Sequence, residues 1–413
     1  MAHQAHNIPW NVLASNFKWR AVNHCKDGAT DFHWRRKPRQ SREITYFIKA
    51  FKKTILEHAE TQRARCIDTI HAPEQDGVVL SDEVCQRIMF IFQHWHESKT
   101  KPHHHANADQ IQQGGKCVLP QQQRHMQAFL QPRRPNDCYE FFRVNSEAYF
   151  NLEIIKMLLL YREMDVLWKI CSHPDQDLAS WWQAEPCCCA TEKDLGWDMI
   201  CKMALRAYLL LNLIDCFPET WQNDAVGEKN YRNTKLYQST VRYLTKGRGN
   251  PIIAAYPHRE FFGIPDNHFK KPCHLCGCLP YDTFIWVGGE AGYIPLPTEI
   301  DQVRQTLHDK RLPGELVDQI MSLAQYGKFT RRLPTPHDPF KPENRAELQK
   351  YLKYCWLLMV QSQVLGQRIG LDLKWEEMIS EALVDMFTCA CDQSGKRSYR
   401  WDWDNHENCV VFV

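Results

Sequence analysis

Residues 195–216, LGWDMICKMALRAYLLLNLIDC, are the stretch that decides the fold. Apolar residues surround too much of this segment for an exposed helix, so the pattern predicts a buried one. A second segment, from Ser146 to about Ile170, has the same character. We expect the two helices to form the core of a middle domain through the apolar positions Ile154, Ile155, Leu158, Leu159, Met203, Leu205, Leu209 and Leu213.

Helices are also predicted on both sides of this core. An amphipathic pattern runs from Ser41 to about Ala72, with Ser41 placed to cap it, and a second helix should follow over residues 84–95. Beyond the core, helical patterns return near 313–326, 344–367 and 374–391. The sequence therefore predicts a mainly α protein with several multi-helical units.

A small β-containing region is expected between the middle and C-terminal helices, which makes the predicted class α+β. The short runs PIIAAY (251–256), REFFGI (259–264) and TFIWV (283–287) are separated by Pro and Gly, as strands usually are. The predicted domains are an N-terminal helical unit (1–97), a flexible Gln-, His- and Pro-rich linker (98–136), a buried helical core (137–246), a small β and Cys region (247–311) and a C-terminal helical region (312–413).

Composition limits the class of protein. The chain has 413 residues and 44% apolar residues, which is enough for real cores. Its opening lacks the pattern of a secretory signal, and its apolar patches fall short of the ~18 residues of a membrane span. We therefore expect an intracellular protein with no membrane partner, whose 18 cysteines stay reduced.

A histidine and three cysteines fall close together at His268, Cys273, Cys276 and Cys278. A Cys-x2-Cys turn can direct two thiolates at one ion, and structural zinc takes four Cys or His ligands. The hypothesis is a structural Zn2+ site on these four residues. The alternative is a set of reduced thiols that pack as small apolar groups.

The rest of the ligand set is open from sequence. Cys278 could be joined by His268, His258 or His274. More distant cysteines could complete the site instead: two of Cys187, Cys188, Cys189 and Cys201.

The C-terminal region begins with the pattern Leu-Pro-x-Glu-Leu-x-x-x-Ile at residues 312–320. It resembles the opening of an F-box, the helical module that docks substrate receptors on the Skp1 subunit of cullin ubiquitin ligases. The resemblance implies a Skp1-type adaptor as partner, bound through Leu312, Pro313, Leu316 and Ile320. Such a surface must stay partly exposed in the free protein, whereas full burial would indicate an ordinary core helix.

Positive charge is concentrated near the N-terminus. Residues 1–70 hold 13 Lys or Arg and 6 Asp or Glu, although the net charge of the chain is only +2. Arginines beside a tryptophan can hold phosphates and stack a base. This makes nucleic-acid binding one hypothesis, and a solvated loop the alternative, for Trp34, Arg35, Arg36, Lys37 and Arg39.

The sequence thus favours an intracellular interaction or adaptor protein with an F-box-like helix and a structural zinc site. A second hypothesis is a metal- or thiol-dependent enzyme with its site near Cys273–Cys278, His258 and His268. The familiar hydrolase and phosphate-loop signatures are absent from the sequence. The third is the nucleic-acid-binding protein.

Overall fold

The computed structural model describes residues 7–21, 30–35, 41–66, 71–74, 77–88, 124–125, 146–183, 196–222, 230–245, 257–262, 297–324, 333 and 338–387. In this part of the chain the fold is mainly α, as predicted. None of the described helices combines the length and the apolar character that crossing a membrane requires.

The described α-helices, numbered in chain order, are α1 (Trp10–Ala14), α2 (Arg42–Arg63), α3 (Asp82–Arg87), α4 (Ser146–Tyr161), α5 (Met164–Cys171), α6 (Asp198–Asp215), α7 (Lys235–Thr245), α8 (His258–Phe262), α9 (Pro297–Asp309), α10 (Gly314–Leu323), α11 (Arg345–Arg368) and α12 (Trp375–Phe387). Short 3-10 turns lie at Pro218–Thr220, Tyr231–Asn233 and Pro342–Asn344. Strands β1 (Phe17–Ala21) and β2 (Thr30–Trp34) pair antiparallel, with Phe17 opposite Trp34.

Helix α11 lies at the centre of the fold and packs against α2, α4, α5 and α6. Trp356 on α11 is 2% exposed. Its ring lies 5.3 Å from that of Tyr208 on α6 and 6.0 Å from that of Phe51 on α2. Helices from the N-terminal, middle and C-terminal predicted units therefore share one continuous core. The exact bounds of those units stay predictions.

The predicted helix from Ser41 is present but shorter than expected. Ser41 caps it, since its Oγ accepts a hydrogen bond from the Ile44 amide. Helix α2 ends at Arg63, and not near Ala72. Its last buried residue is Ala59, so the final turn contributes no buried side chain to the core.

One predicted helix is two helices. The backbone of Arg162 adopts a positive φ of 60° and separates α4 from α5. The Arg162 amide bonds to the Leu159 carbonyl, and the Glu163 amide to the Leu158 carbonyl. These two bonds form a Schellman cap, a site usually occupied by glycine because a Cβ is strained at positive φ.

We expect Arg162→Gly to raise the free energy of unfolding by about 0.5–1 kcal/mol, because it relieves this strain. Arg162 is exposed, so little side-chain packing is lost. Urea denaturation at neutral pH measures the effect, with Arg162→Ala as the control that keeps the Cβ and should gain nothing. A less stable glycine variant would show that the arginine side chain contributes more than the strain costs.

The location of β structure differs from the prediction. The run 259–264 was expected as a strand, but His258–Phe262 is helix α8. Tertiary contacts decide this, since Phe261 stacks on Tyr351 at 3.8 Å and Arg259 Nε donates to the Thr245 carbonyl at 2.7 Å. The runs 251–256 and 283–287 lie outside the described residues. The described strands lie instead in the predicted N-terminal helical unit.

Most of the predicted linker, 98–136, and residues 89–95 of the second predicted helix lie outside the described residues. Of the linker, Arg124 and His125 are described. The Arg124 carbonyl accepts from the Val79 amide at 2.9 Å, and His125 forms a β-bridge with Val78.

Candidate functional site

Helices α9 and α10 form a hairpin whose second helix has two apolar surfaces. Val317 and Met321 on α10 are buried, and α9 is the element that α10 contacts most. Neither residue belongs to the continuous main core of the described chain. Among the described elements, α10 therefore packs mainly against α9.

The other apolar surface of α10 is open to solvent in the described structure. Leu316 is 45% exposed, Ile320 39% and Leu323 78%. At about 100° per residue these three side chains fall within an arc of about 60°, next to the arc of the buried pair. We call Leu316, Ile320 and Leu323 the apolar stripe. Helix α10 thus carries an apolar arc of which only half is covered by the described residues.

The turn between the helices fixes where the stripe begins. Arg311 has a φ of 61° and its amide bonds to the His308 carbonyl, while the Leu312 amide bonds to the Leu307 carbonyl. This is a second Schellman cap, and it ends α9. Pro313 precedes α10, where a missing N–H costs nothing, and its carbonyl accepts the Leu316 amide at 3.0 Å.

An ion pair joins the two helices. Arg304 on α9 lies 3.3 Å from Asp318 on α10, and both side chains are well exposed. Such surface pairs stabilise weakly, so the orientation of the hairpin depends mainly on Val317 and Met321. Of the sequence-predicted partner residues, Leu316 and Ile320 lie in the stripe, Pro313 is exposed and Leu312 is partly buried.

The second candidate site is a cluster of buried charged and polar side chains. The Lys156 ammonium lies 2.8 Å from both carboxylate oxygens of Glu153, and both side chains are almost fully buried. His258 Nδ1 shares a 2.5 Å hydrogen bond with the Tyr351 hydroxyl. We call Glu153, Lys156, His258, Arg259 and Tyr351 the polar cluster, which links α4, α8 and α11.

Burial sets the protonation of this cluster. Desolvation raises the pKa of Glu153 to about 7, although Lys156 and Arg259 act in the opposite direction. Desolvation, with the nearby Lys156 charge, lowers the pKa of His258 to about 3. His258 is therefore neutral at physiological pH.

Four of the described cysteines have shifted pKa values, and none of the four is an activated nucleophile. Burial raises the thiol pKa of each of these four residues: Cys171, Cys201, Cys216 and Cys355. A reactive cysteine needs a lowered pKa. Cys355 lies beside Tyr351 and belongs to the core next to the polar cluster.

The proposed zinc ligands Cys273, Cys276, Cys278 and His268 lie outside the described residues. Within the described ranges, no group of three or more His, Cys, Asp or Glu side chains could hold a metal ion. Two of the alternative ligands are described and belong to the helical core. His258 is 2% exposed and bonded to Tyr351, and Cys201 is fully buried on α6, so we assign neither to a metal site.

The basic N-terminal segment is described in part. Trp34 ends strand β2. Arg35 is exposed, and its Nε donates to the Phe17 carbonyl at 2.8 Å, so its guanidinium helps to close the β-hairpin. Arg36, Lys37 and Arg39 lie outside the described residues, and nucleic-acid binding stays a hypothesis.

The polar cluster was not predicted from the sequence. The available signal was the spacing of Glu153 and Lys156, three residues apart within an otherwise apolar helix. Such a spacing places opposite charges next to each other on one face. Their proximity to His258 and Tyr351 depends on tertiary packing, so it cannot be recognised from the spacing of residues in the sequence.

The model of a family described as "Gramillins biosynthetic cluster protein GRA5" matches residues 11–400. No curated protein and no solved structure matches the chain.

Proposed function

The chain belongs to the gramillins biosynthetic cluster protein GRA5 family, and we propose that it is an intracellular adaptor that binds a Skp1-type ligase subunit through the apolar stripe of α10. The family description concerns a biosynthetic cluster. In this proposal the chain serves such a cluster by connecting another protein to the ligase, and it is not itself a catalyst.

The observation that carries the proposal is the exposure of Leu316, Ile320 and Leu323. A helix that only packed in a core would bury them, because each buried leucine or isoleucine gains about 1.5–3 kcal/mol. The same helix begins with the Leu-Pro-x-Glu-Leu-x-x-x-Ile pattern of an F-box. Exposure and pattern coincide on one element, which supports a docking role.

The structure of the hairpin also suits docking. The anchoring residues Val317 and Met321 are distinct from the stripe, so a partner can bind without unpacking the hairpin. The cap at Arg311 and the buried Val317 and Met321 hold α10 in place before binding, and the exposed Arg304–Asp318 pair adds little. A preformed surface loses less conformational entropy when it binds.

We expect the purified protein to bind a purified Skp1-type adaptor and Leu316→Asp to weaken binding at least about 30-fold, as for a central interface residue. The variant should stay folded because Leu316 is exposed. Gln302→Asp is the matched control, since it adds the same charge to an exposed position of α9. Failure of the wild-type protein to bind would refute the proposal.

The proposal retains a structural Zn2+ site at Cys273, Cys276, Cys278 and His268. We expect purified protein to contain about one zinc per chain, because a closed set of four ligands binds zinc tightly. Cys276→Ser should lose the metal, whereas Cys66→Ser, at a partly buried residue after α2, should keep it. Elemental analysis measures both. Wild-type protein without stoichiometric zinc would leave the reduced thiols as the explanation.

A further inference from the structure

The solvent side of α2 carries three cations and an aromatic ring in one line. Arg42, Lys49 and Lys53 are exposed, and the Tyr46 ring between them is 60% exposed. At about 100° and 1.5 Å per residue, the four side chains fall within an arc of about 60° and extend over about 17 Å of the helix. We call Arg42, Tyr46, Lys49 and Lys53 the basic face.

Acidic side chains neutralise the basic face only in part. Within the described part of the chain, Arg42 and Lys49 have no ion-pair partner. Lys53 lies 3.7 Å from Glu57, but both side chains are well exposed, and such a pair is weak. Glu43, at the edge of the face, accepts a hydrogen bond from the Ser41 hydroxyl at 2.8 Å. The basic face therefore directs unpaired positive charge toward solvent.

Arg35 adds a fourth cation at the N-terminal end of the basic face. Its amide bonds to the Asn16 carbonyl at 2.8 Å, and the Ser41 hydroxyl donates to Asn16 Oδ1 at 2.8 Å. Asn16 therefore fixes Arg35 beside the first turn of α2. The Arg35 guanidinium is exposed and uses its Nε for the Phe17 carbonyl, which leaves its terminal nitrogens directed to solvent. With Arg35, four cations are set against the two carboxylates of Glu43 and Glu57.

We infer that the basic face, together with Arg35, binds single-stranded nucleic acid, with its cations on the phosphates and a base stacked on the Tyr46 ring. Arginine and lysine side chains in a row follow a phosphate backbone. Tyr46 lies between Arg42 and Lys49 along the helix, so a strand whose phosphates contact both can place a base on the ring. A ring stacks on any base, and this makes such binding tolerant of sequence.

The exposed ring separates this ligand from other polyanions. An anionic membrane surface is bound by helices that insert apolar side chains, whereas Phe47, Phe51 and Ile55 of α2 are buried in the core. An acidic protein segment would be held by charge and has no base to stack. A double strand keeps its bases stacked inside. The basic face lies on a different helix from the apolar stripe, so the inference is independent of the adaptor proposal.

Fluorescence anisotropy of a labelled oligonucleotide tests the inference on the full chain. The probe is a fluorescein-labelled oligothymidylate of about eight nucleotides. We expect wild-type protein to bind it, and log affinity to fall with log salt with a slope of about −3, because each of about four phosphate contacts contributes about 0.7. A labelled oligoglutamate of equal length should bind at least about tenfold more weakly. No binding of oligothymidylate at about 50 mM salt, or equal affinity for both probes, would overturn the inference.

Variants of two exposed residues separate stacking from charge. Tyr46→Ala should weaken oligothymidylate binding about tenfold without changing the salt slope, whereas Tyr46→Phe keeps the ring and should bind like wild type. Lys49→Gln should weaken binding about eightfold at about 50 mM salt and reduce the slope by about 0.7, because one phosphate contact is lost. Lys169→Gln, at an exposed position of α5, is the matched control and should change neither. Wild-type affinity in Tyr46→Ala would also overturn the inference, since the surface would then recognise charge alone.

Discussion

Trp356→Ala should lower the free energy of unfolding by about 4 kcal/mol. Trp356 is 2% exposed on the central helix and contacts the rings of Phe51, Tyr208 and His58. Truncation removes these contacts and leaves a cavity between α2, α6 and α11. It also removes the donor that the indole Nε1 supplies to His58 Nδ1 at 3.2 Å.

Urea denaturation measures this loss, and Tyr354→Ala is the control on the same helix. Tyr354 is only partly buried at the edge of the core, so its truncation should cost less than about 2 kcal/mol. Because helices from distant parts of the chain share the Trp356 contacts, we expect one cooperative transition. A loss below 1 kcal/mol for Trp356→Ala would contradict the central position of α11.

Lys156→Met should cost about 3–5 kcal/mol at pH 8, because it leaves the buried Glu153 carboxylate without its partner. The loss should shrink at low pH. The pKa of Glu153 is already raised to about 7 by burial, and removal of the ammonium raises it further above the ordinary value of 4.5. Because the pKa of Glu153 is higher in the folded than in the unfolded state, proton binding by Glu153 stabilises the fold, fully below pH 4.5. This stabilisation is lost as the pH rises through the pKa of Glu153 in the folded state.

The double variant Glu153→Leu/Lys156→Met is the matched control. It removes both charges and fills similar volumes, and such replacements are often neutral or stabilising. Denaturation of wild type, single and double variants at pH 5 and pH 8 measures the effect. A single variant that is equally stable at both pH values would contradict a buried, proton-binding Glu153.

The helical core could be predicted because its signals are local. The apolar content of 195–216 predicts a buried helix, and the structure has Asp198–Asp215 there, with Leu205, Leu209 and Leu213 buried. The C-terminal helices near 344–367 and 374–391 were likewise found at Arg345–Arg368 and Trp375–Phe387.

The errors arise where tertiary contacts override local preference. Phe261 and Phe262 read as β-formers, but stacking of Phe261 on Tyr351 places them in α8. Arg162 is an ordinary helix residue by propensity, yet the packing of α5 on α4 and α11 requires a turn there. For the candidate site, the sequence pattern predicted the start of α10 and its apolar face. It could not tell which half of that face is buried, because that depends on α9.

Hydrogen exchange of the protein with and without a purified Skp1-type adaptor tests the docking proposal most directly. The account predicts that adaptor binding raises the protection of amides in 312–323 and leaves those in 345–368 unchanged, because the apolar stripe lies on α10 and the buried residues of α11, from Tyr351 to Gly366, already pack in the main core. The same experiment with Leu316→Asp should show no added protection. No change in 312–323 at saturating adaptor, or protection gained elsewhere while 312–323 stays unchanged, would contradict the proposal.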